Sequence, residues 1–209
     1  MATASLSRKE RERLRHKEEI LAVALKLFSE KGFHNVSMQE IAEESEFAVG
    51  TLYKFFEGKE SLFAALMGSC AGRISDILMP ILEEEVDERK RISNYIKAHE
   101  QIIADHVPTI RLYLSENLSS ALTVRPDVEP ETDAVREIIH QKLSDIFKSG
   151  MRKGIFKDAG PWMATLSLSA MLESFVFAVI KSPGQISVED GLSRVEEIFF
   201  KGSLRHSSA

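Results

Sequence analysis

Apolar residues recur along this chain every three to four positions, and no window of several residues alternates between apolar and polar in the manner of a strand. The pattern predicts an all-α protein. Ile20, Leu21, Ala24, Leu25, Leu27 and Phe28 fall on one helical face, and that segment closes at Lys31-Gly32, a cation in the last turn followed by a residue that tolerates left-handed backbone. Ser37-Met-Gln-Glu40 has the spacing of a capping box and predicts a short helix to about Glu44. After a turn at Ser45–Phe47, Ala48–Phe56 predicts a second short helix, stopped by Glu57-Gly58. A third begins near Lys59 and reaches about Met79, where Pro80 interrupts the pattern. Longer helices are predicted at Ile81–Asp105, Pro108–Ala121, Thr132–Ser149, Gly160–Lys181 and Ser187–Lys201, with a mobile loop at Arg125–Pro130.

Composition narrows the class. The 209 residues, 44% hydrophobic and 28% charged, suffice for a real core and for a small domain on a larger one. The net charge of -5 excludes a uniformly basic nucleic-acid coat, so any such site must be local. Met1–Lys17 carries six cations against two carboxylates, a local charge of +4. Cys70 is the single cysteine, which excludes an intrachain disulfide and a thiolate zinc cage and fits a reducing, cytoplasmic setting. The charged N-terminus leaves no secretory route visible. Trp162–Ile180 approaches bilayer-spanning length with one charge, Glu173, but its Thr and Ser positions favour a helix buried in protein over a membrane span.

Two short helices joined by a tight turn, after a supporting amphipathic helix, have the shape of a helix-turn-helix. The residues add detail: Leu27-Phe28, Glu30-Lys-Gly-Phe33, Ser37, Ile41-Ala42, Gly50-Thr-Leu-Tyr53, Phe56 and Lys59-Glu60-Ser-Leu62. This run, over about Lys17–Leu66, closely resembles the DNA-binding domain of TetR-family repressors. The resemblance implies an N-terminal three-helix DNA-binding domain, a larger helical ligand-binding and dimerisation domain, and a homodimer on a palindromic operator. It places a basic arm at 1–16, the helix-turn-helix at 17–66 and the sensing half at 67–209. Expected DNA contacts are Ser37, Val49, Gly50, Thr51, Tyr53, Lys54 and Lys59: Gly50 for close backbone approach, Thr51 as a hydroxyl for phosphate or base, Tyr53 and Lys54 for phosphates, and Lys59 as a phosphate anchor. The Ser37 hydroxyl suits both capping and phosphate contact. Leu52 and Phe56 read as core.

Two positions depart from the family pattern. Glu46 stands where the turn usually has Gly, and Ala48 where the recognition helix usually opens with Ser or Thr. Each change costs about 1 kcal/mol, through left-handed backbone and a lost capping hydroxyl respectively. The basic arm has two readings, a phosphate-tracking element or an exposed helical extension.

For the sensing half, soft and aromatic side chains suggest a hydrophobic or amphipathic small-molecule effector: Met79, Ile103, Phe147, Met163, Met171 and Phe175, with Trp162. His99, Tyr113 and Glu173 supply polar candidates, Glu173 as a carboxylate within an apolar helix that needs a partner or a proton. Val188, Leu192, Val195 and Phe199 form one stripe and Leu166, Ala170 and Phe177 another, together an expected dimer interface. No catalytic signature, metal motif or cofactor loop is visible, so an enzyme is disfavoured. A helical protein-interaction adaptor is the alternative, and it leaves Gly50-Thr-Leu-Tyr53 unexplained.

Overall fold

The computed structural model describes residues 7–118 and 130–203; the loop expected at Arg125–Pro130 lies outside them except for Pro130, which opens a helix. Among the described residues there are eight α-helices and no paired β-sheet: α1 (Arg8–Lys31), α2 (Met38–Glu44), α3 (Val49–Leu52), α4 (Lys59–Leu82), α5 (Glu88–Leu118), α6 (Pro130–Arg152), α7 (Pro161–Lys181) and α8 (Val188–Ser203), with a 3-10 turn at Phe33–Asn35.

Four boundaries differ from the sequence reading. Helix α1 starts at Arg8 because Ser7 forms a full capping box with Glu10, so most of the expected arm is helix. Helix α4 passes through Pro80 to Leu82: the proline removes the one N–H bond to the Asp76 carbonyl, and with only two residues following it the rest of the ladder is untouched. Pro108 interrupts nothing either, since α5 is a single 31-residue helix. Its start moves to Glu88, where Asp87 Oδ1 accepts from the Lys90 amide at 3.0 Å.

The chain divides into two compact units, and their limits differ from 17–66 and 67–209. One comprises Met1–Ser69 with Pro108–Glu129, the other Cys70–Val107 with Pro130–Ala209. Two of the breaks fall inside α4 and α5, and the third falls at the start of α6. In the first unit Ile20, Ala24, Leu27 and Phe28 of α1 pack with Ile41, Leu52, Phe56 and Leu62, and Leu112 of α5 joins the same core. Phe33 links them, its ring 5.2 Å from Phe28 and 5.3 Å from Phe63.

In the second unit α7 packs on α6 and α8. Phe147 lies between Phe156 and Phe199 at 5.3 and 5.7 Å. Gly191 lets α8 lie against the Phe175 ring, since a Cβ there would come within 2.2 Å of it. This packing corrects the expected dimer stripe on α8: Leu192, Val195 and Phe199 are buried within the protomer, and Val188 is half-buried, so the stripe faces the chain's own core. The outward apolar residue of α8 is Ile198, 63% exposed. On α7, Leu166 and Ala170 are exposed and Phe177 is half-buried. Helices α4 and α7 are long and apolar enough to cross a bilayer by length and composition alone.

A buried carboxylate ties α5 to α6. Glu88 Oε1 accepts from Ser149 Oγ at 2.7 Å and from Lys153 Nζ at 2.6 Å. Burial pushes its pKa up, but those hydrogen bonds and the Lys153 charge outweigh burial and hold the carboxyl at about 2. A folded pKa below the unfolded one stabilises the protein above the ordinary range near 4.5 and is lost as pH falls toward 2. With Lys153 62% exposed and the pair partly screened, the contribution is about 2 kcal/mol. Glu88→Gln therefore lowers stability by about that much at pH 7, and denaturant melts of mutant and wild type converge as pH approaches 2.

Candidate nucleic-acid interface

The α2-turn-α3 segment is held from below by apolar contacts and from its ends by hydrogen bonds. Ser37 caps α2, its Oγ accepting from the Glu40 amide at 3.1 Å. The reciprocal half of the expected capping box is absent, because the Glu40 carboxylate pairs with Lys31 of α1 instead. That pair holds the Glu40 carboxyl below its usual range, and Lys26–Glu44 at 2.9 Å makes a second link between α1 and α2.

The turn adopts the backbone the family pattern demands despite its sequence. Glu46 has φ 58, the left-handed region that glycine would occupy without strain. Ser45 Oγ donates to Ile41 O at 2.6 Å, and the Phe47 amide donates to Ala42 O at 3.0 Å, which together hold the turn closed. Ala48 is the N-cap of α3 and provides no side-chain hydrogen bond. Helix α3 is short, four residues in place of the predicted Ala48–Phe56, and Tyr53–Phe55 continue it as turns.

The side chains of this segment divide cleanly. Leu52 and Phe56 are buried in the core, as the sequence reading placed them. Tyr53 is 51% exposed, Lys54, Gly50 and Ser37 are exposed, and Val49 and Thr51 are half-buried. Gly50 lacks positive φ, and a Cβ added there meets nothing within 4 Å. The protomer's own packing thus gives no reason for glycine at this position, although glycine in a helix costs about 1 kcal/mol relative to alanine.

Lys59 takes a different role from the expected phosphate anchor. Its ammonium donates to the carbonyls of Phe33 at 2.7 Å, Val36 at 2.9 Å and His34 at 3.4 Å, and lies 4.5 Å from the Phe33 ring centroid. All three ammonium donors are thereby committed to the α1–α2 connection.

The expected effector residues scatter. Phe147 and Ile103 are core, while Met79, Met171 and Phe175 are half-buried. Trp162 and Met163 are exposed, with the Trp162 ring 5.9 Å from His140. Tyr113 packs in the first unit, against the helix-turn-helix core. Glu173 is exposed, so no buried carboxylate needs explaining there. Among these candidates His99 has a defined polar setting: its Nδ1–H donates to Tyr95 O at 2.9 Å, its ring meets Tyr95 at 5.0 Å, and burial pushes its pKa down. Tyr95, missed in the sequence, is buried and its pKa is raised by burial and then by the Glu173 charge. Its place one helical turn before His99 was the available signal.

A capped, ion-paired α2, a tight turn and a short α3 that presents a bare glycine beside a phenol and an ammonium have the shape of a helix-turn-helix. Residues 20–66 match the family of bacterial regulatory proteins, tetR family. The chain is 24% identical over 194 residues, 91% of its length and 85% of the relative's, to the HTH-type transcriptional regulator RutR of Escherichia coli strain K12. It also shares its fold with the fatty acid degradation regulator FadR of Bacillus halodurans (TM-score 0.74, 21% identity, 92% and 97% of the two chains covered). FadR of Bacillus subtilis, solved in complex with stearoyl-CoA, matches at TM-score 0.72 and 17% identity over 88% and 98%. Residues 20–66 thus carry a tetR-family DNA-binding segment, and over most of its length the chain is similar to HTH-type transcriptional regulators.

Proposed function

We propose that this chain is a cytoplasmic repressor that binds a palindromic operator as a homodimer and leaves it when a small amphipathic effector binds. The observation that carries the reading is Gly50, a helical glycine with open space around it, flanked by half-buried Thr51 and exposed Tyr53 and Lys54. A residue type that costs the free protomer stability and fills no steric need there suits a backbone that must approach a ligand closely. Ser37 and Val49 border the same surface. For the dimer, exposed Leu166 and Ala170 with Ile198 and the half-buried Phe177 offer the outward apolar surface that the buried α8 stripe does not.

Effector release follows if the ligand prefers the protein conformation that binds DNA poorly. The stearoyl-CoA bound by the Bacillus subtilis relative makes long-chain acyl thioesters the first class to test. Duplex DNA enriched by the full-length protein from a random pool is titrated in the presence of stearoyl-CoA or free CoA. The acyl form is expected to weaken binding at least tenfold and free CoA to leave it unchanged. Equal Kd values with both would remove this effector class.

A further inference from the structure

The N-terminal stretch of α1 supplies a second feature on the DNA-reading side of the first unit. Two rows of charge run along the helix, with Glu10, Arg11 and Glu18 outside both. Arg8, Glu12, Arg15 and Glu19 make up one row, closed on itself by Arg8–Glu12 and Arg15–Glu19 ion pairs, each 3.4 Å. Lys9, Arg13 and Lys17 stand at i, i+4 and i+8 on another, Lys9 and Arg13 exposed and Lys17 half-buried, with Glu10 and Glu12 on the flanks of the row. Lys9 and Lys17 make no hydrogen bond or ion pair among the described residues.

Two contacts fix where this second row lies. The Arg13 guanidinium sits 5.9 Å from the Phe55 ring centroid, and the His16 ring meets Phe47 edge-on at 5.1 Å. Phe47 immediately precedes the cap of α3, and Phe55 follows it by three residues. The extension is therefore seated against both ends of α3 rather than trailing from the domain. Lys9 lies one turn beyond Arg13, and Lys17 one turn before the buried Leu21. From Lys9 to Lys17 the row runs about 12 Å, the reach of two or three consecutive phosphates on one strand.

We propose that Lys9, Arg13 and Lys17 form a phosphate-binding ridge on α1 that follows the DNA backbone beside the groove entered by α3. The ridge rests on the DNA-binding reading of α3 and adds to it a sequence-independent contact, held in register by Phe47 and Phe55. Because Arg13 is also seated on Phe55, the two lysines test the ridge without disturbing that seat.

Fluorescence anisotropy with full-length protein, on a random-sequence duplex and on the duplex enriched by selection, reads the contact as salt dependence. Lys9→Ala/Lys17→Ala is expected to weaken binding about tenfold on both duplexes and to flatten the log–log salt slope by about 1.8 per bound protomer, with the preference for the enriched duplex retained. Arg8→Ala/Glu12→Ala, which removes an ion pair without changing net charge, keeps the wild-type slope. Melting temperatures at the wild-type value confirm that both variants are folded. A wild-type slope in the double-lysine variant overturns the ridge while leaving the role of α3 intact. A wild-type protein that binds neither duplex overturns both, and one that binds the two equally contradicts the reading of α3 alone.

Discussion

Gly50→Ala is expected to melt no lower than the wild type and to bind DNA ten- to a hundredfold more weakly. The stability side follows from geometry: Gly50 lies in α3 without positive φ, and an added Cβ meets nothing within 4 Å. Alanine in such a helix is favoured by about 1 kcal/mol. The affinity side follows from the partner. A methyl group forced into a close backbone approach costs about 1.4 to 2.7 kcal/mol, which is that loss in binding. Thermal melting and anisotropy on an enriched duplex separate the two effects. Unchanged affinity in a protein of unchanged or higher melting temperature would show that nothing approaches the backbone at Gly50.

Lys59→Met is expected to act in the opposite way, costing about 2 to 3 kcal/mol of stability while leaving the salt dependence of DNA binding as it was. The ammonium is the common donor for the carbonyls of Phe33, His34 and Val36, and its removal leaves three acceptors without that partner at the junction of α1, α2 and α4. Methionine retains most of the stem that covers Phe33. Denaturant unfolding gives the stability change, and anisotropy at low temperature, where the variant is folded, gives the slope. A slope flattened by about 0.9 with unaltered stability would restore Lys59 as a phosphate contact.

Lys59 also marks where sequence reading stops. The helix-turn-helix was legible because its signals are local: the Ser37 cap, the helical spacing of Ile20 to Phe28, and the Gly50-Thr-Leu-Tyr53 run with Leu52 inward. Glu46 was legible too, since a turn of that shape imposes left-handed backbone whatever residue stands there. What Lys59 does is decided by carbonyls 23 to 26 residues away, which no spacing rule reports. The same limit applies to the sensing half. Periodicity identifies the apolar face of α8 but not what covers it, and Leu192, Val195 and Phe199 proved to face the protomer's own core. Prolines misled for a further reason: a proline ends a helix only where the lost hydrogen bond is not offset by packing, and α5 runs through Pro108 between the buried neighbours His106 and Thr109.

The acidic average of the chain conceals a basic edge. Half of the carboxylates on α1 and α2 are held in ion pairs, Glu12 with Arg8, Glu19 with Arg15, Glu40 with Lys31 and Glu44 with Lys26, while Lys9, Arg13 and Lys54 are exposed. Net charge therefore says little about this surface, and the arrangement of pairs says more.

Selection of bound duplexes from a random pool by the full-length protein tests the central claim, that α3 and its surroundings read DNA sequence. The account predicts enrichment of a palindrome whose two halves match the two protomers, bound at least a thousandfold more tightly than random duplex. A pool that shows no enriched sequence after repeated rounds, from protein that is folded and binds random DNA only, would contradict it.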